Sequence, residues 1–404
     1  MRVTNGATRS ALRGRFGLLA LGLLLGASIV VSVTPRAWAE DVAFAGDSPA
    51  ARVEALDAAI RTDVDGAVAA LAKLGSTSKS ADADLAFLVE VAVTHKDRPI
   101  RLLSLGALRA LDAARALAAL RTRADGENQL PTVFAIEGIG HLGSHDDVSR
   151  LLELAASPDP LIAAAALRAL PRLATKKDID AIVDLSLGYE NLRLADYGAW
   201  AILDLSKKTD SVVKLYEKIA KKKSDPRASR ANSIVAMLGD NPPRAQKWGD
   251  ELTAARDALL AAPKVVPIDA RNARHREKVE DTIAWIKENS PCAYLTLRAS
   301  AKILRMPGEN VDGHMDLEKA EAWIPLGYAG QTEKQLAYHV TRVGSILFQH
   351  KVGNPSEGHR GWELAIFDSY DVCVAAKLYN AGPGGLPRKL FVEDILAKRP
   401  WDGS

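Results

Sequence analysis

Residues 159–183 read DPLIAAAALRALPRLATKKDIDAIV, and this stretch decides the fold. Asp159 and Pro160 mark a helix start: aspartate is a favoured N-cap, and proline fits the first turn, where its missing N–H would have had no partner. An Ala/Leu-rich run follows to Leu173. After a polar break, Asp178 opens a second run whose Ile182 and Val183 fall on one face of a helix. A hairpin of this size cannot bury its apolar stripe alone, so copies of it must stack.

Copies are present on both sides. Leu111, Leu142, Leu173, Leu205 and Leu238 sit near the ends of successive apolar helices, at intervals close to those of helical repeats. Asp97-Arg98-Pro99 and Asp225-Pro226 repeat the start signal. Asp147 and Asp210 repeat the second one, each followed by a pair of apolar residues, Leu151-Leu152 and Val212-Val213. Alanine and leucine dominate and aromatic residues are few, a composition that favours closely packed helices.

This pattern resembles the HEAT repeats, in particular the short form named after phycobilisome lyases. The units of that family start Asp-x-x-Val-Arg and end Ala-Leu-x-x-Leu-Gly. Asp97 to Arg101 matches the start, and Ala110-Leu111, Gly140-His141-Leu142-Gly143 and Met237-Leu238-Gly239 match the end. The resemblance implies an α-solenoid over about residues 85–240, second helices on its concave side, and binding of a partner as its usual use. Bilin lyase activity is a minority outcome of that family, and export argues against it here.

The flanks differ from the repeats. Arg2, Arg9, Arg13 and Arg15, an apolar run from Phe16 to Val33, and Ala37-Trp38-Ala39 form the layout of a secretory signal over 1–39. The mature chain is therefore expected to be periplasmic or secreted, with membrane attachment only if this segment stays uncleaved. Residues 1–39 hold five arginines and no acid, so removing them lowers the basic count from 53 to 48 against 50 acidic side chains. The formal charge falls from +3 to −2, and a nucleic-acid partner loses its electrostatic argument.

The expected organisation is all-α. A linker and helical cap occupy 40–84, the HEAT-like array 85–262, a linker 263–273, and a helical C-terminal domain 274–404. One helix is expected over 244–261, and further ones near 274–288, 292–305, 316–323, 331–350, 360–380 and 389–398.

Chemistry-bearing motifs are sparse. No Gly-x-Ser-x-Gly elbow, phosphate loop or His-Glu-x-x-His run is present, so the chain reads as a binding protein rather than an enzyme and no cofactor is indicated. The alternative is a C-terminal domain that binds a metal or small ligand or acts as an enzyme, using His350, His359 and Glu363 with Trp323 and Trp362. Cys292 and Cys373 would be able to pair in an oxidising compartment, or else remain two buried thiols. The strongest binding feature is a lysine stripe. Lys214, Lys218 and Lys221 share one helix face opposite Val212, Tyr216 and Ile219, with Lys222 and Lys223 beyond and Arg193 and Arg227 as possible extensions. A protein partner with an acidic surface is the expected ligand of that face.

Overall fold

The computed structural model describes residues 44–77, 81–126, 129–240, 248–306, 315–324, 330 and 332–353. Among these residues are fifteen α-helices and four short strands. The chain opens with α1 (Pro49–Thr62), α2 (Val64–Thr77) and α3 (Ala81–Thr94), followed by α4 (Arg98–Ala124). α4 is two helices joined at Asp112, whose extended backbone (φ −165°, ψ 91°) breaks the run immediately after Leu111.

There follow α5 (Gln129–Leu142), α6 (Val148–Ala155), α7 (Pro160–Leu173), α8 (Ile179–Gly188), α9 (Leu192–Ser206), α10 (Thr209–Ala220) and α11 (Ala228–Asp240); α6 packs closely on α7, α8 on α9 and α10 on α11, whereas the expected partners α7 and α8 of one hairpin do not pack on each other in this way. Their starts are capped as their residue types require. Asp159 accepts from the N–H groups of Leu161 and Ile162, and Asn191 serves α9 in the same way through Arg193 and Leu194. Between α5 and α6 and between α7 and α8, short 3-10 turns carry matching capping boxes, Ser144 with Asp147 and Thr175 with Asp178. Asp210 has no such role, because the equivalent turn is absent before α10.

α3, α5, α7 and α9 pack on one another in sequence, and every residue of α9 from Arg193 to Asp204 is buried. α10 buries only Val212 and Tyr216. The helices approach closely: a Cβ on Gly198 would stand 2.5 Å from that of Ser186, so α8 and α9 meet where only glycine fits.

The helix expected over 244–261 begins at Glu251 instead, where Asp250 caps it through the Thr253 N–H; residues 241–247 lie outside the described set. This helix, α12 (Glu251–Leu260), packs on α4 and α2.

The C-terminal part corrects the all-helical expectation. β1 (Ile268–Ala270) lies in the stretch expected as a linker, and α13 (Ala273–Asn289) and α14 (Pro291–Ser300) follow. Instead of the helix continuing to 305, β2 (Ile303–Met306) forms, and 316–323 is not helical: β3 (Met315–Asp316) and β4 (Glu321–Trp323) occupy it. The sheet order is β1-β2-β4-β3, parallel except for β3 on β4. Leu304, Met306 and Ala322 face a second core under α13, α14 and α15 (Glu333–Lys351). Burial of that face decides the outcome; Glu, Ala and Leu prefer helices only weakly, and tertiary pairing overrides them. The expected helices 360–380 and 389–398 and the segment 1–39 lie outside the described residues. Among the described residues, no helix is long and apolar enough to cross a membrane.

Candidate functional site

Charged side chains gather in two places of opposite character. The first is buried. Glu251, with 1% of its side chain exposed, opens α12 and lies between two guanidinium groups: one carboxylate oxygen accepts from Arg98 of α4, the other from Arg172 of α7. Arg98 also donates to Glu137 of α5 at 2.9 Å, and Arg101 reaches the same carboxylate at 3.3 Å. Arg172 stacks on the Trp248 ring at 4.1 Å, and Arg101 on Phe134 at 3.8 Å. His141 Nε2 stands 3.8 Å from Glu251.

Burial raises the Glu251 carboxyl, but Arg98 and Arg172 outweigh it and hold the group down at about 2. Burial followed by the Arg172 charge lowers His141 to about 3, leaving a neutral ring. Glu137 is held well below the ordinary carboxylate range, the arginines outweighing its burial. None of these three groups changes protonation near neutral pH, so the network acts as a fixed clasp that ties α12 to α4, α5 and α7.

A smaller buried group of polar side chains joins α1, α14 and the start of α4. His95 lies 3.2 Å from Asp57 through Nε2, and its Nδ1 accepts from the Asp97 N–H. Cys292 is 2% exposed beside them, and burial, then the Asp97 charge, raises its thiol well above the usual value. It stands there as a protonated thiol, unsuited to nucleophilic attack. Cys373, the expected pairing partner, lies outside the described residues.

The second charged region is exposed. Lys207, Lys208, Lys214, Lys218, Lys221, Lys222 and Lys223 all lie at the surface of α10 and its flanks. Val212 and Tyr216 anchor the opposite face, the Tyr216 hydroxyl meeting Ser186 Oγ at 2.7 Å. Lys221 meets Glu217 at 3.2 Å, whereas Lys214 and Lys218 have no carboxylate within ion-pair distance among the described residues. Residues 207–230 carry nine basic and three acidic side chains, in a chain otherwise close to neutral.

Arginines of α4 and α6 behave differently. Arg115 meets Asp82 at 2.7 Å, Arg121 meets Asp147 at 2.7 Å, and Arg150 meets Glu153 at 2.9 Å. The two suggested extensions of the lysine stripe do not join it: Arg193 is buried, and Arg227 is bound by Asp184 and Asp225.

Of the expected metal ligands, His350 is half-buried at the end of α15, and His359 and Glu363 lie outside the described residues, as does Trp362. Among the described residues no group of three or more metal-ligating side chains occurs. Trp323 is half-buried on β4.

A groove of about 330 Å³ lies between the α8–α9 turn and the start of α11. Leu187, Tyr189, Leu192 and Pro226 line it together with Glu190, Ser229, Arg230 and Ser233, and Arg230 donates to the Glu190 carbonyl at 3.1 Å. Sequence reading missed both the groove and the clasp. The signal for the clasp was an arginine at the first helical position of α4, in a turn that packs inward. Comparison of the chain with protein-family profiles, curated proteins and solved structures finds no match.

Proposed function

We propose that this protein is an exported scaffold, a solenoid of HEAT-like hairpins that binds a protein partner through the exposed lysine face of α10. The observation that carries the reading is the contrast in ion pairing: exposed arginines of α4 such as Arg115 and Arg121 meet carboxylates, whereas Lys214 and Lys218 are left to solvent. Hydrated, unpaired lysines add little to stability and remain available to steer and orient an acidic partner. The helical repeat supplies a rigid support on which such charges keep fixed spacing.

The test is capture from an envelope extract by the chain from residue 40 onward, beside the variant Lys214→Glu/Lys218→Glu/Lys221→Glu. A stoichiometric protein retained by the parent and lost by the variant, with unchanged thermal melting, is the expected result. Equal capture by both would remove α10 from the interface and overturn the reading.

A further inference from the structure

We infer that the groove between the α8–α9 turn and the start of α11 binds a small zwitterion, an amino acid or short peptide carrying both an ammonium and a carboxylate group. No residue of α10 lines it, so the inference stands apart from the interface proposed above.

The lining includes one charge of each sign, Glu190 on the turn and Arg230 on the helix. The two do not neutralise each other. Arg230 Nη2 donates to the backbone carbonyl of Glu190 at 3.1 Å, and among the described residues neither side chain has an opposite charge within ion-pair distance. Arg227, just before α11, is different: it meets Asp184 at 2.7 Å and Asp225 at 3.1 Å. Arg230 is anchored to a neutral carbonyl instead. That bond fixes one nitrogen of a planar group with five donors and leaves the others for a ligand.

Each side of the groove offers what one end of a zwitterion requires. Arg230 stands in the first turn of α11 beside Ser229, whose hydroxyl has no hydrogen-bond partner among the described residues. The N–H groups of a first turn have no acceptor within their own helix. Guanidinium, hydroxyl and first-turn amides together suit a carboxylate. On the turn, the exposed Glu190 supplies acceptors for an ammonium group. Leu192 and Pro226 complete the lining, and a volume of about 330 Å³ is of small-molecule size.

Other ligand classes fit less well. A simple anion would meet the Glu190 charge, and a neutral sugar would leave both charges without a counterpart.

The experiment is isothermal titration calorimetry on the chain from residue 40 onward. The probes are the dipeptide glycylleucine, free leucine and inorganic phosphate, with the N-acetyl and C-terminal amide forms of the two zwitterions. Glycylleucine or leucine is expected to bind with a Kd of about 1 mM or lower, and the tighter of the two shows whether the site takes a peptide or a free amino acid. Blocking either end of that ligand should weaken binding about tenfold. Arg230→Gln should remove the penalty for amidation and keep that for acetylation, and Glu190→Gln should do the reverse. Glu190 is exposed and Arg230 half-buried, so thermal melting of both variants should stay close to that of the parent.

Failure of both zwitterions to bind at about 10 mM overturns the inference. So does equal affinity of the parent for free and blocked forms, or a penalty for amidation that survives Arg230→Gln. Binding of phosphate in place of either zwitterion would also overturn it and make the groove an anion site.

Discussion

The clasp around Glu251 and the stripe on α10 use similar charges in opposite ways. In the clasp, Arg98 and Arg172 have lost their water and hold a carboxylate that is itself buried. On α10, Lys214 and Lys218 are exposed with no carboxylate within ion-pair distance among the described residues, and Lys221 beyond it meets Glu217 at the surface. A desolvated charge must have its partner built into the fold, so the clasp reports on stability. A hydrated charge adds almost nothing to stability, so the stripe does not report on it.

The comparison breaks most sharply at Glu251. Glu251→Gln leaves Arg98 and Arg172 without the negative charge between them, and should cost about 3–5 kcal/mol in urea unfolding. A cost under about 1 kcal/mol would mean that the clasp is not load-carrying.

Acid should expose the same network in a second way. His141 titrates at about 3 when folded and near 6.5 when unfolded, so its contribution to stability is complete above pH 6.5 and is lost as pH falls toward 3. Between pH 6.5 and 5 the loss should approach about 2 kcal/mol, and His141→Gln should flatten that interval. Glu251 adds a second loss between its ordinary value of 4.5 and about 2, so the two windows overlap below pH 4.5 and His141 is read in the interval above it. Guanidinium titrations at half-unit pH steps would measure both.

Asp147 is intermediate, with 4% of its side chain exposed, closing a capping box and meeting Arg121. Asp147→Ala should cost about 1–2 kcal/mol by calorimetry. The smallest effect belongs to the stripe: Lys214→Glu/Lys218→Glu/Lys221→Glu should stay within about 0.5 kcal/mol of the parent. A larger loss would show that these lysines serve the fold and would blur the distinction.

What could be read from the sequence was local. Leu142 and Leu173 are the last residues of α5 and α7, and Leu111 immediately precedes the break at Asp112, because caps and apolar period act within a few turns. The exposure of Lys214, Lys218 and Lys221 was legible for the same reason. The sheet was not, since β3 and β4 are two and three residues long and no periodicity can be read from so few positions. Ile303 to Met306 does alternate, but the burial that gives the alternation meaning comes from α13 to α15. The clasp was illegible because Arg98, Glu137, Arg172 and Glu251 come from four helices, and the groove because it arises from the approach of α11 to the α8–α9 turn.

The return of α12 to α4 also bears on how the chain is made. Arg98 and Glu251 are 153 positions apart, and Asp65 and Arg298 are 233 apart. Hairpins that touch only their neighbours can assemble one by one as a chain emerges, and fray from either end. Here α2 and α4 wait for partners in α14 and α12 that are synthesised much later, and these helices cannot separate without breaking those bonds. Folding of this part of the chain is thereby made a late and cooperative event.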